Sequence, residues 1–580
     1  MRWWCRGALA VLSLSLIAAD KKPPQQALPT LGETIEVSIV NVDVFVTDKA
    51  GRRIRGLRQD DFEIYENGVK QPLSNFAEYV SSSAPLPAAR GEGGQRPGEE
   101  SAPEDQRRTI VVFVERFRLP KVKADPLFGS IRKLLHESLR PGDAATIVTW
   151  HNGQLSTLQG YTDDMAALDR ALDTLVKQNT AVTRDEYAET RAEADDVEDF
   201  ETDAQSFARR VGGDGAVAMM REGAEDMKSI NGRTDAIRAR ADLEAKIRSI
   251  NALIRSMAGF DGKRVMLMAT HRLSKLAGAE FFWANGVEET LDGVDRMELD
   301  TSRFIRSLFE TANANGVAVY PMFPEGLGSV AGSVTPQGRR QRGGSAAYEY
   351  FIQDNEVPVL TEVAHHTGGT AAWGSNEAAE LISSVRDDFE NYYSLAYRTT
   401  PRSLDKARTI EVRTVDKERK LRVRARSQVI EKSDVTRMED HVLASLFRPA
   451  AGATLQFAVR VGAPRANRRL PVTIRVPIAA LTLLPNGPNQ SGGFSVYIAW
   501  GSKIGGISDA SHQRQLFHIP NADVDRAKKS YYTYEFELET VPHTERLSIG
   551  LVDEVSREYG VRVYSLRPDA QAVLQPVVNR

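Results

Sequence analysis

Cysteine is almost absent from this sequence, in which Cys5 is the only one among 580 residues. Cys5 lies in an N-terminal segment that we expect to be removed, so the mature chain has none. Disulfide bonds, a thiol nucleophile and thiolate metal sites are therefore excluded. Cys5 also precedes the apolar run of that segment, which rules it out as the lipid-bearing cysteine of a lipoprotein.

A strong charge of either sign is also lacking. The 75 basic and 78 acidic residues are interspersed and leave a net charge of -3. This balance gives no reason to expect nucleic acid or an anionic membrane as a partner. Beyond the N-terminus, no run is long and apolar enough to cross a bilayer. We expect no membrane insertion once the leader is removed.

The N-terminus has the layout of a secretory signal peptide. Arg2 and Arg6 precede an apolar run from Ala8 to Ile17, and small residues follow at Ala18 and Ala19. This arrangement predicts a signal peptide over residues 1–19 and a secreted, periplasmic or cell-envelope protein. The alternative is a short membrane anchor, but the run is short for that role.

The rest of the chain divides into segments with different periodicity. Alternating apolar residues and an Asn67-Gly68 turn predict a small immunoglobulin-like β unit, and strand–helix alternation later predicts a doubly wound, mostly parallel α/β sheet. Short, regularly spaced strands near the C-terminus predict a β-sandwich. We expect a β unit at 30–80 that is completed by a hairpin at 405–432, followed by a linker at 81–107. An α/β domain is expected at 108–400, with a helical insertion at 183–257. The expected sandwich spans 437–580.

Five segments occur in a fixed order along the chain: "VDVFVTDKAGRRIRGLRQDDFEIYENGVKQPLSNF", "FDGKRVMLMAT", "GVAVYPMFPEGL", "LTEVAHHTGGTAAW" and "DDFENYYSLAYRTT". In this order they resemble the motifs of the bacterial VWFA-related secreted proteins, a group abundant in acidobacteria. The resemblance implies a von Willebrand factor A-type domain. It also implies a metal-ion-dependent adhesion site, in which Asp-x-Ser-x-Ser, a Thr and often a later Asp hold a divalent cation.

The residues at those positions depart from the motif. Glu115 replaces the first Asp, Phe117 and Leu119 replace both hydroxyl residues, and the later Asp position falls on His271. Imidazole is a poor ligand for Mg²⁺ or Ca²⁺, which prefer oxygen. Thr180 or Thr183 remains available as the Thr, but one carboxylate and one hydroxyl do not complete an octahedral site. We therefore expect a degenerate site without a metal or other cofactor.

No catalytic residue set stands out in the chain. Gly-x-Ser-x-Gly is absent, and His365-His366 lacks the Glu and the spacing of a zinc-hydrolase helix. We expect a non-catalytic binding or scaffold protein with a protein partner. The face at the altered site would recognise that partner through Glu115, Arg116, Arg118, Thr183, His271 and Arg272.

Two alternatives remain at this point. In one, the A-type domain is an inert spacer and binding belongs to the C-terminal sandwich or the helical insertion. In the other, the protein is an enzyme, such as a hydrolase with a scattered site. The sequence names neither the partner nor the oligomeric state.

Overall fold

The structure, a computed structural model, describes most of the chain in two compact units. The described residues are 38–80, 107–116, 121–151, 153–180, 210, 213–260, 262–271, 273–284, 291–324, 345–399, 403–416, 418–447, 454–463, 469–502, 507–539 and 544–566. One unit comprises the described residues up to Glu431, and the other begins at Lys432. The expected signal peptide at 1–19, nearly all of the linker at 81–107 and residues 183–209 of the insertion lie outside the described residues.

The first unit contains three β-sheets and eight α-helices among its described residues. Its strands are β1 (Ser38–Thr47), β2 (Phe62–Glu66), β3 (Val69–Gln71), β4 (Leu73–Val80), β5 (Arg108–Glu115), β6 (Ala144–His151), β7 (Gln154–Thr162), β8 (Lys263–Ala269), β9 (Val317–Phe323), β10 (Ala372–Trp373), β11 (Asn391–Thr399), β12 (Ala407–Thr414), β13 (Arg422–Ala425) and β14 (Gln428–Ile430). Its helices are α1 (Lys121–Ser138), α2 (Met165–Thr180), α3 (Gly213–Ser256), α4 (Glu280–Ala284), α5 (Gly293–Leu299), α6 (Ser302–Ala314), α7 (Ser345–Thr367) and α8 (Ser375–Glu390).

The second unit is mostly β-structure. Its strands are β15 (Ala458–Val461), β16 (Arg469–Pro477), β17 (Leu484–Asn486), β18 (Asn489–Ser502), β19 (Ser511–Pro520), β20 (Tyr531–Glu539), β21 (Thr544–Asp553) and β22 (Tyr559–Ser565). Its helices are α9 (Asp434–Ser445) and α10 (Val524–Ala527).

A six-stranded sheet forms the centre of the α/β domain, in the order β10-β9-β8-β5-β6-β7. All of its pairings are parallel except that of β7 with β6. Strand β5 is buried along its whole length and apolar from Ile110 to Val114, as is usual for a central parallel strand. The chain therefore has the mixed α/β fold, with a mostly parallel sheet, that its strand–helix alternation predicts.

The two faces of β5 meet different helices. Ile110, Val112 and Val114 lie in one core cluster with apolar residues of α1, α2 and α8. Because successive side chains of a strand point to opposite faces, Val111, Phe113 and Glu115 face the other side. Helix α3 lies on that side, since its Lys246 hydrogen-bonds to Glu115. Its buried apolar face consists of Leu243, Ile247, Ile250, Leu253, Ile254 and Met257.

Two four-stranded sheets, β13-β1-β11-β4 and β14-β12-β2-β3, share one apolar core beside the α/β domain. They combine strands from 38–80 with strands from 391–430. Strand β11 corrects the expected boundary of the α/β domain at residue 400, because it pairs with β1 on one side and β4 on the other. Its alternating residues suit either sheet, and only the long-range pairing determines which one it joins.

A buried carboxylate, Asp388 at the end of α8, connects these sheets to the α/β domain. Its Oδ2 accepts hydrogen bonds from Tyr320 Oη at 2.5 Å and from Arg424 Nη2 at 2.6 Å. Arg53 forms a further ion pair with it. Tyr320 lies on β9 of the six-stranded sheet, and Arg424 lies on β13 of a four-stranded sheet. The side chain of Asp388 therefore joins two different sheets.

Lys263, the first residue of β8, lies in the same region. Its Nζ donates to the main-chain oxygen of Asp388 at 2.7 Å and lies 3.5 Å from the centroid of the Tyr392 ring. The nearest carboxylate oxygen is Oδ2 of Asp43, also at 3.5 Å. Burial lowers the pKa of Lys263 to about 8; Asp43 opposes this effect and the charge of Arg424 adds to it.

The second unit has a three-stranded sheet, β15-β16-β20, and a second sheet in which β18 pairs with β17, β19 and β21, and β21 with β22. Apolar residues of both sheets form one core, including Ile474 of β16 and Val496 of β18. Helix α9, capped by the Ser433 side chain, precedes them. The unit thus begins with a helix that the expected sandwich boundary at residue 437 did not anticipate. No helix among the described residues is long and apolar enough to cross a membrane.

The lowered pKa of Lys263 predicts a specific dependence of stability on pH. Between about pH 8 and pH 10.5 the unfolded chain binds a proton at this lysine that the folded chain does not, so stability rises with pH in this range. Lys263→Met removes that contribution. We expect the free energy of unfolding, measured with urea at about pH 7.5 and about pH 9.5, to rise less in the variant than in the wild-type chain. Equal pH dependence in the two chains contradicts this assignment.

Candidate functional site

The candidate site lies where the strand order of the central sheet reverses. From β5 the chain proceeds through β6 and β7 on one side and through β8, β9 and β10 on the other. The carboxyl ends of β5 and β8 flank this switch point, which is the usual ligand position in open α/β sheets. Glu115 is the last residue of β5, and Thr270 and His271 follow β8 directly.

Glu115 is engaged by four hydrogen bonds from within the protein. Lys246 Nζ lies 2.8 Å from its Oε1 and 2.9 Å from its Oε2. The Thr270 hydroxyl and the backbone N–H of His271 each donate to Oε2 at 2.9 Å. Both carboxylate oxygens are therefore satisfied, and only 11% of the side chain is exposed.

Lys246 comes from helix α3 and is more deeply buried, with 2% of its side chain exposed. It lies three residues after Leu243 and four before Ile250, so helical spacing places it on the buried apolar face. Its third hydrogen bond goes to the backbone oxygen of His271, at 2.9 Å. An ammonium group has three protons, and each has an acceptor here.

The charges of this cluster balance one another. Burial alone raises the pKa of Glu115, but the charge of Lys246, then that of His271, and the hydrogen bonds lower it below its ordinary value of 4.5. Because this folded-state pKa is below the unfolded one, the resulting stabilisation is present above about pH 4.5 and is lost as the pH falls through the folded-state pKa.

The described residues at the switch point do not fit a divalent cation. The ammonium of Lys246 occupies the position beside the carboxylate, and a second cation there would be repelled at short range. Among the described residues, no group of three or more His, Cys, Asp or Glu side chains is arranged to hold a metal ion. The chemistry of the site is therefore that of an internal salt bridge.

Three of the predicted site residues are described, and they have different roles. Glu115 is buried and both of its carboxylate oxygens accept hydrogen bonds within the protein, which corrects the expectation that it belongs to an exposed binding face. His271 contributes its backbone to the cluster, while its ring lies near Phe323. Arg116 is partly exposed next to the site, and its backbone N–H donates to Trp150. The remaining predicted residues, Phe117, Arg118, Leu119, Thr183 and Arg272, lie outside the described residues, as does the side chain of Thr180.

Arg116 also affects the histidine at the end of the neighbouring strand. Burial, followed by the charge of Arg116, lowers the pKa of His151. Both effects favour the neutral form of the His151 imidazole.

Of the pair His365-His366 considered from the sequence, His366 has a structural role. His366 lies at the end of α7, where its Nδ1 is 2.6 Å from the Ser427 hydroxyl and its ring stacks on Phe309. Burial lowers its pKa. These contacts connect α7 to the loop before β14.

Lys246 and Thr270 were missed at the sequence level, and only Lys246 had a usable signal. A lysine on the apolar face of an amphipathic helix either extends its charge to solvent or pairs with a buried acidic group, and Glu115 is the acidic residue that ends a buried strand. These two observations together make the salt bridge the alternative to extension into solvent. Thr270, within "MATH", carries no comparable signal.

No protein-family model matches this chain, and no curated protein does either. Among the solved structures that match is that of an aerotolerance-related membrane protein from Bacteroides fragilis with multiple mutations to serines. The two chains are 11% identical with a TM-score of 0.21, over 49% of this chain and 98% of the other. A TM-score this low supports no conclusion about function.

The salt bridge predicts a characteristic set of variant stabilities. Lys246→Met leaves a buried unpaired carboxylate and is expected to lower the free energy of unfolding by about 3–5 kcal/mol at neutral pH. Protonation of Glu115 relieves that penalty, so we expect a smaller loss at about pH 5 than at about pH 7.5. The double variant Glu115→Gln plus Lys246→Met is expected to be more stable than Lys246→Met alone.

Urea unfolding measures these differences. Lys275→Met, at an exposed lysine, is the matched control and is expected to change stability by less than about 0.5 kcal/mol. A Lys246→Met variant as stable as this control contradicts the proposed importance of the pair.

Proposed function

We propose that this is an exported, non-catalytic protein-binding or scaffold protein with a von Willebrand factor A-type domain in which a lysine replaces the metal ion. The observation that carries the proposal is the position of Lys246 Nζ, within 2.9 Å of both carboxylate oxygens of Glu115 at the switch point. The export signal is the one predicted at residues 1–19.

Two features support the assignment to the A type. The sheet has six strands, with the first strand of the domain in a central position and one antiparallel edge strand. Glu115 ends that first strand, where the resemblance implies the first Asp of the adhesion motif. Both features support the proposal that the altered site lies at the end of this strand.

The internal lysine changes how such a face would recognise a partner. A bound divalent cation leaves a coordination position for a ligand carboxylate, whereas all three protons of Lys246 are used within the protein. A partner's carboxylate would instead meet the guanidinium of Arg116, and Arg118, two residues later in the sequence, has the same charge. Charge-assisted hydrogen bonds from arginine suit that role.

A second candidate function is a spacer domain with binding carried by helix α3. The observation in its favour is that Met219, Met227, Ile230 and Ile237 of this helix are exposed. In this alternative the switch point is purely structural, and charge changes at Arg116 have no effect on binding.

Replacement of the metal by lysine predicts that divalent cations do not stabilise the protein. Any ligand that binds only the folded state raises its melting temperature. We expect millimolar Mg²⁺ or Ca²⁺ to leave the Tm unchanged in differential scanning calorimetry relative to added EDTA. A saturable rise in Tm with either cation contradicts the proposal.

Recognition through arginine predicts charge-sensitive capture. Immobilised protein should retain a partner from its own envelope extract equally well with and without EDTA. Arg116→Glu plus Arg118→Glu should reduce the amount retained at least about tenfold, since reversal replaces attraction with repulsion. Arg170→Glu, an exposed change on α2, is the control and should retain the partner. Undiminished capture by the double variant favours the spacer alternative.

A further inference from the structure

Helix α3 carries an exposed apolar stripe along the part that does not pack on the sheet. The helix has 44 residues and is thus about 66 Å long. Met219, Met227, Ile230 and Ile237 are between 44% and 76% exposed. At about 100° per residue these four positions fall within about 80° of one another around the helix. They lie along one face of the helix, which is the kind of surface that partner helices cover.

The spacing of the stripe is nearly the same in both directions. The intervals from Met219 to Ile237 are eight, three and seven residues, and in reverse they are seven, three and eight. A second copy of the helix running antiparallel, centred near Lys228, therefore places Met219 opposite Ile237 and Met227 opposite Ile230. Each apolar side chain meets another one across the pair.

The charges of the helix agree with the same arrangement. Residues 217–228 contain three acidic and two basic residues, whereas residues 229–240 contain one acidic and three basic residues. An antiparallel pair brings the acidic half of each copy against the basic half of the other. A parallel pair brings like halves together instead, which is unfavourable.

One pair of side chains is placed especially well for this contact. Glu222 and Arg233 lie on the same flank of the stripe, about 40–60° from Met219 around the helix. In the antiparallel register Glu222 of one copy lies within about 2–3 Å, along the helix axis, of Arg233 of the other. Arg233 is half exposed while it pairs with Asp295 of α5, so its guanidinium can serve both carboxylates.

From these observations we propose that the stripe of Met219, Met227, Ile230 and Ile237 is a homodimer surface on which α3 of a second copy of this chain packs antiparallel. The contact is separate from the switch point, because Lys246 and the buried apolar face lie in the other part of the helix. It is therefore independent of the function proposed for the α/β domain.

The decisive experiment is directed cross-linking in the full chain with Cys5→Ser, where each engineered cysteine is the only one. Met219→Cys and Ile237→Cys chains are oxidised separately and as a mixture. The antiparallel register predicts a disulfide-linked dimer only in the mixture, because the two copies of residue 219 lie about 27 Å apart. Self-linked Met219→Cys chains, or no linkage in the mixture, overturn the proposal.

The oligomeric state provides an independent measurement. Sedimentation equilibrium should show a monomer–dimer equilibrium for the wild-type chain. Met227→Asp plus Ile230→Asp places four carboxylates at the centre of the contact and should raise the dissociation constant at least about tenfold. Asn231→Asp adds a charge at an exposed position beside the stripe and should leave the dimer intact.

Circular dichroism distinguishes loss of the contact from loss of the fold, since all three changes lie at exposed positions and should preserve helix content. A wild-type chain that stays monomeric at every concentration overturns the proposal and leaves the stripe to another segment or another protein. A dimer unaffected by Met227→Asp plus Ile230→Asp overturns it as well.

Discussion

The ion pair between Glu115 and Lys246 is the constraint around which the α/β domain is organised. It joins the end of the central strand to a helix that enters the fold more than one hundred residues later, and it also binds the loop after β8 through Thr270 and His271. A buried carboxylate without such a partner is strongly unfavourable. The position of α3, the conformation of the β8 loop and the protonation of Glu115 therefore depend on one another.

The pair also determines the chemistry at the carboxyl end of the central strand. The carboxyl ends of parallel strands concentrate polar groups in a crevice, which open α/β sheets normally use for ligands. Here the crevice contains a cation that is part of the chain. The carboxylate at the end of the first strand is thereby paired with an ammonium group of the same chain.

Local signals in the sequence predicted the elements well where the physical cause is local. Asn67 and Gly68 both have positive φ, as the predicted two-residue turn requires. The buried strand β5 and the apolar face of α3 follow from their periodicity.

Strand β11 was assigned to the wrong domain because its partners, β1 and β4, are more than three hundred residues away in the chain. Lys246 was missed because a lysine on an apolar face usually extends its charge to solvent, and here the acceptor lies in a distant strand.

The pairing of β4 with β11 has a consequence for biosynthesis. The chain leaves this β unit at Val80 and returns at Asn391, and those two residues are direct partners in the sheet. The α/β domain is thus inserted between two neighbouring strands of another domain. During synthesis or export, the first four strands have no complete core until β11 to β14 emerge, while the α/β domain is already complete in sequence. The domain whose synthesis begins first is therefore the one whose strands are completed last, and β1 to β4 remain without their β11 to β14 partners while about three hundred residues are added.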